Sequence, residues 1–359
     1  MIGAKDRLAL CVALLAVLTA ARVEAEPPEA APTPTVPILQ LLHHLGFGES
    51  QQSSLLQGKV LSTGLPDAET EKNELAVAAV VLYVRRPLAE VVEAYMDGEI
   101  FRLDPELIEF REFDQSSGSD AIRKQFDDLA YTSTESAEAR KIIKFKGGSA
   151  FNLSEHEIEL FGAINRRDAE LVEHVSATWR EVLADRLLAY QARGLEAIDP
   201  YKRSGKKRDS PGKELIVATA SMAVLRDFFP DLYDAVLIYP EPVKRDSTPV
   251  EHRFFWLKQR LQNRPNFVLS HHAADFDDDY AIVLEQQFYV SHSYNCMEGI
   301  LGCVAHNGGT IVFFTNRTFT DQVTGFAAGI ARSIGRSRIE KSVSEQLERL
   351  RTTLESRNK

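Results

Sequence analysis

The sequence predicts an α+β fold in which a curved antiparallel sheet packs on a long C-terminal helix, with a helical insertion ahead of the last strands. Three features support this prediction. Strand-like runs joined by turn residues fill 251–315, helical patterns dominate 121–240, and apolar residues recur at helical spacing along 321–355. A long amphipathic helix needs an apolar surface, and the sheet formed by the preceding strands is the nearest one.

The first 25 residues have the pattern of a secretory signal peptide. Lys5 and Arg7 precede the apolar run Leu8–Ala21, and Val23-Glu24-Ala25 offers a cleavage site. The apolar run is short for a membrane-spanning helix, although an uncleaved anchor is the alternative. Residues 26–37 then form a Pro-containing linker. We expect an exported chain, periplasmic or secreted, without a transmembrane segment after cleavage and with one folded domain over 38–359.

The composition of the chain indicates which classes of molecule it is less suited to bind. The chain of 359 residues is 44% hydrophobic, enough for a large core, and its net charge of −10 argues against a nucleic-acid binder. Export permits a disulfide between Cys296 and Cys303. If both lie on one continuous strand they are too far apart to bond, and we expect them to be unbonded. The sequence identifies no protein partner.

The elements begin with a small and β-branched run, Glu74–Val84, which predicts a strand. Arg85-Arg86-Pro87 ends it. Leu88–Tyr95 then has helical spacing, and Asp97-Gly98 ends that helix. Leu107–Phe113 alternates apolar and charged residues, which predicts a half-buried strand.

The insertion at about 121–250 is predicted to be mostly helical. Ser154 with Glu157 forms a capping box ahead of apolar residues. A helix is expected over Asp168–Ala192 and another over Lys213–Phe229. The basic stretch Tyr201–Pro211 between them is expected to be a solvated loop.

The C-terminal part returns to strands. Asn307-Gly308-Gly309 is a hairpin signal, because these residues accept the positive φ of a tight turn. Thr318 and Asp321 have the spacing of a capping box and are expected to start the terminal helix. The predicted strands are Phe254–Gln262, Asn266–Ala274, Tyr280–His292, Ile300–His306 and Thr310–Thr315.

This order of elements resembles that of START-like, or helix-grip, proteins. The resemblance rests on Val80-Val81-Leu82-Tyr83-Val84 with Pro87-Leu88-Ala89-Glu90-Val91, and on the closing hairpins with their final helix. It covers residues 74–113 and 251–356, whereas 121–250 depart from the basic plan. The resemblance implies a sheet that wraps the last helix and encloses a cavity for lipids or other apolar ligands.

A second resemblance concerns three short segments, which are similar to segments of exported bacterial proteins that have no assigned activity. The segments are Phe254-Phe255-Trp256-Leu257-Lys258-Gln259-Arg260, Gln287-Phe288-Tyr289-Val290-Ser291-His292-Ser293-Tyr294-Asn295 and Asn316-Arg317-Thr318.

One group of polar residues lies at predicted strand ends and at the start of the terminal helix. These residues are expected to ring a cavity mouth, where an Arg binds a carboxylate or phosphate bidentately. The alternative is a network that caps the helix and satisfies the strand ends. The group is His292, Tyr294, Asn295, Arg317 and Asp321.

Other candidates lie on the strands and the helix. Gln286 interrupts an apolar face and either meets a polar ligand group or pairs with a neighbouring strand. Trp256 and Arg260 line a pocket or form an outer face. Tyr289 and Phe326 complete the predicted ligand-binding set.

Metal and cofactor sites are not predicted. Adjacent His271 and His272 in a strand point to opposite faces, so they cannot ligate one ion without distortion. The acidic turn Asp275–Asp279 lacks the ligand spacing of an EF-hand loop. Phosphate-loop, dinucleotide and serine-elbow motifs are absent from the sequence.

The sequence leaves three functions open. The leading hypothesis is the binding or carriage of an apolar or amphipathic, lipid-like small molecule between sheet and C-terminal helix. The first alternative is a cavity enzyme of hydrolase or cyclase type that uses His292 with Tyr294 or Arg317. The second is a structural or partner-binding envelope protein that uses the insertion helices as its contact surface.

Overall fold

The computed structural model describes residues 36–64, 74–96, 106–115, 118–243, 249–321 and 328–356. The predicted signal peptide and nearly all of the linker lie outside these residues, as does Phe326. Within them the fold class is confirmed as α+β, with a large antiparallel sheet and a long helix at the C-terminal end.

Eight strands form the main sheet, in the order β1-β2-β10-β9-β8-β7-β6-β3, and every neighbouring pair is antiparallel. Two further strands form a small hairpin. The strands are β1 Leu61–Thr63, β2 Glu74–Val84, β3 Leu107–Glu112, β4 Tyr201–Lys202, β5 Arg208–Asp209, β6 Glu251–Leu261, β7 Arg264–Phe276, β8 Tyr280–Val290, β9 Cys296–His306 and β10 Gly309–Phe319.

Helices cover both sides of this sheet. In the described part of the chain they are α1 Ile38–His44, α2 Glu49–Leu56, α3 Leu88–Met96, α4 Ser119–Lys124, α5 Ser136–Ile142, α6 Glu155–Gly162, α7 Leu171–Arg193, α8 Pro211–Ala220, α9 Ala223–Phe228, α10 Pro230–Leu237 and α11 Ala328–Ser356, with short 3-10 helices at Ser133–Glu135 and Gly194–Ala197. None of the described helices combines the length and the apolar character that crossing a membrane requires.

The first face of the sheet, which we call face A, packs on α3 and on the C-terminal helix α11. Val80 and Leu82 of β2 share a buried core with the apolar stripe of α11. This stripe has the helical spacing that the sequence predicted. Its described members are Ile339, Val343, Leu347, Leu350 and Leu354.

The opposite face, face B, packs on the insertion helices and on α1 and α2. Trp179 of α7 lies in one buried core with Phe267 and Tyr289 of the sheet. Leu41 of α1 lies in another with Ile300. Both faces of the central strands are therefore buried, which removes the polar, solvated face that many antiparallel sheets have.

A β-bulge in β8 changes which residues face which way. Leu269 of β7 pairs with Tyr289, and Ser270 pairs with Gln287, so Phe288 is the extra residue. A bulge sets two residues of one strand against one of the other. As a result Phe288 and Tyr289 both join the core on face B.

Several predicted boundaries differ from the structure. The helix expected over Lys213–Phe229 is two helices, α8 and α9, because the chain breaks at Ser221 and Met222. The loop expected at Tyr201–Pro211 contains the hairpin of β4 and β5. Strand β9 begins four residues before the predicted Ile300, at Cys296.

The predicted capping role of Thr318 is wrong. Thr318 lies inside β10, where it pairs with Met297, and its hydroxyl donates to Asn316 Oδ1 at 2.9 Å. It therefore cannot cap a helix. The helix is described from Ala328 onward.

Two turn and cysteine predictions are confirmed. Asn307 and Gly308 adopt φ of 48° and 75° in the hairpin between β9 and β10. Cys296 and Cys303 are both buried and free, and they lie on the single strand β9.

Gly302 of β9 offers a test of how tightly the sheet is packed. A Cβ built on Gly302 would overlap the ring of Phe313, its partner on β10. We expect Gly302→Ala to lower the free energy of unfolding by about 1–3 kcal/mol, because overpacking forces this ring to move. Urea denaturation measures the change.

The matched control is Gly162→Ala in α6. A Cβ there meets only Lys146 Nζ, at 3.6 Å. We expect this variant to keep or slightly raise the stability. Equal losses in the two variants would contradict the packing described for Gly302.

Candidate functional site

A buried band of polar side chains crosses face A. Asn316 of β10 pairs with Gly299 of β9, Gly299 with Glu285 of β8, Glu285 with His272 of β7, and His272 with Arg253 of β6. Directly paired residues of antiparallel strands point to the same face. The pairing therefore places four polar side chains in one row, and we call this row with its polar neighbours the polar band.

Glu285 is the centre of the polar band and is fully buried, with 0% of its surface exposed. Its Oε1 accepts hydrogen bonds from Ser270 Oγ at 3.0 Å and from Gln287 Nε2 at 2.8 Å. His272 Nε2 lies 3.8 Å from the same oxygen. Glu285 Oε2 has no hydrogen-bond partner among the described residues.

The other members of the band are also buried, apart from the half-buried Arg253 at its edge. The Tyr294 hydroxyl donates to Gln287 Oε1, which orients the amide that binds Glu285. Asn316 uses its Oδ1 to accept from Thr318. Within the described chain, neither Asn316 Nδ2 nor His272 Nε2 has a hydrogen-bond partner.

Apolar side chains border the polar band on the same face. The row on one side of it contains Phe314, Leu301 and Val283, which pair across β10, β9 and β8. On the other side, the Phe255 ring lies 4.5 Å from the His272 ring, between centroids. The band is therefore a polar strip in apolar surroundings.

The edge of the band is charged. Arg253 lies 3.1 Å from Glu251 and 3.8 Å from Glu112. Burial raises the pKa of Glu112 to about 7, against the lowering effect of Arg253, and the charge of Glu251 raises it further. Perturbed carboxyl groups of this kind are common at functional sites.

Most of the sequence-predicted site residues lie outside the polar band, and several of them lie on face B. Tyr294 belongs to the polar band, whereas Trp256 lies on face B, where its indole Nε1 donates to the Gln125 carbonyl at 3.1 Å. Tyr289 also lies there, under the guanidinium of Arg186 at 4.4 Å. Arg260 is exposed.

Gln286 points to face B and takes part in a chain of buried hydrogen bonds. Its Nε2 donates to Glu298 Oε2 at 3.0 Å, and its Oε1 accepts from the Tyr190 hydroxyl at 3.1 Å. Tyr190 also contacts His271 Nδ1 at 2.8 Å, and His271 Nε2 lies 2.9 Å from His252 Nδ1. Gln286 thus pairs with a neighbouring strand, which was one of its two expected roles.

His252 and His271, the two histidines of this series of hydrogen bonds, are neutral near pH 7. Burial lowers the pKa of His252 to about 4. Burial, with the charges of His252 and His272, holds the pKa of His271 well below its ordinary value. As predicted, His271 and His272 point to opposite faces of β7.

Asn295 and Asp321 meet through Arg203. The Arg203 NH2 group donates to Asn295 Oδ1 at 2.8 Å, and Arg203 Nε lies 3.6 Å from Asp321 Oδ2. Burial raises the pKa of Asp321 against the effect of Arg203. Arg317 is engaged elsewhere, since it donates to the Ala218 carbonyl at 3.0 Å and to Ser221 Oγ.

His292 is held by contacts to both of its ring nitrogens. Nε2 lies 3.0 Å from the Pro265 carbonyl oxygen, and Nδ1 lies 2.5 Å from Ser293 Oγ. Burial, more than the charge of Arg264, lowers its pKa to about 3. The ring is therefore neutral and fully engaged at neutral pH.

A metal centre and an open groove are two other kinds of site that could bind a ligand. The described residues contain no group of three or more His, Cys, Asp or Glu side chains placed to hold a metal ion. A groove of about 430 Å³ lies beside the last turns of α11, but its Arg351 already donates to the Gly58 carbonyl at 2.6 Å and lies 3.7 Å from Glu348.

Comparisons with known proteins add no assignment, since no family model, no curated protein and no solved structure matches this chain. The polar band is therefore interpreted from its own geometry.

The raised pKa of Glu112 gives a pH-dependent prediction. In the folded state this carboxyl stays protonated up to about pH 7, whereas its ordinary value is 4.5. The unfolded chain then releases the proton first, so the stability of the wild type falls as pH rises from 4.5 to 7. We therefore compare the free energy of unfolding of Glu112→Gln with that of the wild type. We expect this difference to favour the variant more at pH 8 than at pH 4.5.

Thermal unfolding across this pH range measures the effect. Glu109→Gln is the control, because Glu109 lies on the same strand but pairs with Lys258 on the opposite face. A stability difference between Glu112→Gln and the wild type that is independent of pH would contradict the raised pKa.

Proposed function

We propose that this protein binds or carries an apolar or amphipathic small molecule in a cavity between face A and the C-terminal helix, in a helix-grip arrangement. The observation that carries the proposal is the polar band, because fully buried polar atoms that have no partner among the described residues lie there between apolar side chains. In our proposal the polar part of the ligand meets the band and its apolar part contacts the neighbouring rows.

The energetic argument starts from the open polar atoms. Glu285 Oε2, His272 Nε2 and Asn316 Nδ2 have no hydrogen-bond partner in the part of the chain that the structure describes. Leaving a buried polar atom unpaired costs about 1–3 kcal/mol. Three such atoms on one face are best explained by a guest molecule, or by waters that a guest displaces.

The course of the chain supports the position of the cavity. β10 ends at Phe319, next to the band, and α11 is described from Ala328 onward, only nine residues later. Near its other end, α11 accepts a bond from the Arg85 amide at Glu355 Oε1, beyond the far end of β2. The described part of α11 therefore runs along face A from the end of the sheet that contains the band towards the opposite end.

The contacts of the other candidate residues favour binding over catalysis by His292. Its ring nitrogens are both occupied and its pKa is about 3, so it is poorly suited to act as a general base near neutral pH. Arg317 is committed to α8 rather than to the histidine.

Native mass spectrometry of the gently purified protein tests the proposal. We expect a bound small molecule on the wild type, and a loss of roughly 10-fold or more in occupancy for Glu285→Gln, because a hydrogen bond to a charged group contributes about 1.5–3 kcal/mol.

The matched control is Glu298→Gln. Glu298 is as deeply buried as Glu285 but bonds to Gln286 and Thr219 on face B. We expect this variant to retain the ligand. A wild type that carries nothing and takes up nothing from a total lipid extract would contradict the proposed function.

A further inference from the structure

The chemistry of the polar band narrows the class of ligand, and this step rests on the proposed function. The completely buried carboxyl group of Glu285 is the starting point. Its only ion-pair contact within the described chain is His272, at 3.8 Å, and no Lys or Arg of that part lies within ion-pair distance. A buried carboxylate without a cation is costly unless some other group compensates its charge.

The hydrogen-bond donors around Glu285 leave one of its oxygens open. Ser270 and Gln287 both donate to Oε1, and Tyr294 donates to Gln287. Oε2 remains the open acceptor of the band among the described residues. The group that completes this site must therefore be a donor, and the best donor to a carboxylate is a cation.

Among the described residues, the cations nearest to the band cannot fill this role as they are placed. Arg253 is the charged residue of the same row, but it pairs with Glu251 and Glu112 at the edge. Lys258 of β6 points to face B and binds Glu135 at 2.7 Å. The cation must come from outside the described network.

Aromatic rings border the same position. Phe255 packs against His272 on one side of the row, and Tyr294 is tied to Gln287. Phe314 lies on the other side, where its ring is 3.3 Å from the place that a Cβ of Gly299 would occupy. Rings near a carboxylate favour an ammonium group through cation–π attraction.

We propose that the ligand of the polar band is an amphipathic amine, with its ammonium group bound to Glu285 Oε2 and its apolar body against the rows of Phe314 and Leu301. An anionic head group is disfavoured, because it would place a second negative charge beside Glu285 in a buried site. The net charge of −10 also favours the approach of cations over anions.

Isothermal titration calorimetry with three probes of equal chain length tests the ligand class on the wild type. The probes are n-decylamine, n-decanol and decanoate, each below its micellar concentration at pH 7. We expect the amine to bind roughly 10-fold or more tightly than the alcohol, which corresponds to about 1.4 kcal/mol, and the fatty acid to bind most weakly.

Two variants locate the ammonium group. Glu285→Gln is expected to remove the preference for the amine over the alcohol, and Glu298→Gln on face B is expected to keep it. The comparison of probes on the wild type needs no variant, so it stands even if Glu285→Gln fails to fold.

The possible failures are distinguishable. If the alcohol or the fatty acid binds as tightly as the amine, the amine inference is overturned while the binding function stands. If none of the three binds and the purified wild type carries no small molecule, the proposed function fails and this inference fails with it.

Discussion

Burial of both faces of the sheet is the constraint on which the rest of the structure depends. The central strands β7, β8, β9 and β10 are buried along nearly their whole length. A polar side chain on such a strand cannot turn to water, so it needs a partner inside the protein or a guest. The segment Glu285-Gln286-Gln287 in the middle of β8 presents this problem on both faces at once.

On face B, residues of the protein itself supply hydrogen-bond partners for Gln286. The helices between β3 and β6 bring Tyr190 and Thr219 over the sheet, and both of these contact Gln286. The same helices supply Arg186, which pairs with Glu157 at 2.6 Å and lies over the Tyr289 ring. The insertion is therefore the layer that completes face B, whereas on face A Glu285 Oε2, His272 Nε2 and Asn316 Nδ2 have no hydrogen-bond partner among the described residues.

The sequence predicted the individual strands and turns better than it predicted which helices pack on each face of the sheet. Period-two patterns and turn residues predicted the strands and the Asn307-Gly308 turn, because these depend on local backbone preferences. The alternation of side chains also predicted that His271 and His272 diverge. The contacts made by the side chains of each face depend on which helices cover that face, and no local sequence pattern specifies those helices. Trp256 and Tyr289, which were predicted to bind a ligand, contact the insertion helices, and Gln286 pairs with a neighbouring strand, one of its two predicted roles.

Glu285 was missed, although the sequence contained a signal for it. Gln286 interrupts one apolar face of β8, whereas Glu285 and Gln287 belong to the other face and interrupt that one equally. Three consecutive polar residues in a strand that is otherwise apolar indicate polar groups on both sides of a sheet. The bulge at Phe288 concealed the pattern, since it shifts the alternation for the residues that follow.

The two buried glutamates differ in their partners, and our proposal rests on this difference. Glu298 and Glu285 are both completely buried. Glu298 bonds to Thr219 and Gln286, and it pairs across the strands with Arg317, which carries a positive charge to the same face. Glu285 pairs across the strands with His272 on one side and with Gly299, which has no side chain, on the other. Glu285 thus has the same burial without a cation from the described chain, and this imbalance is what a cationic guest on face A would correct.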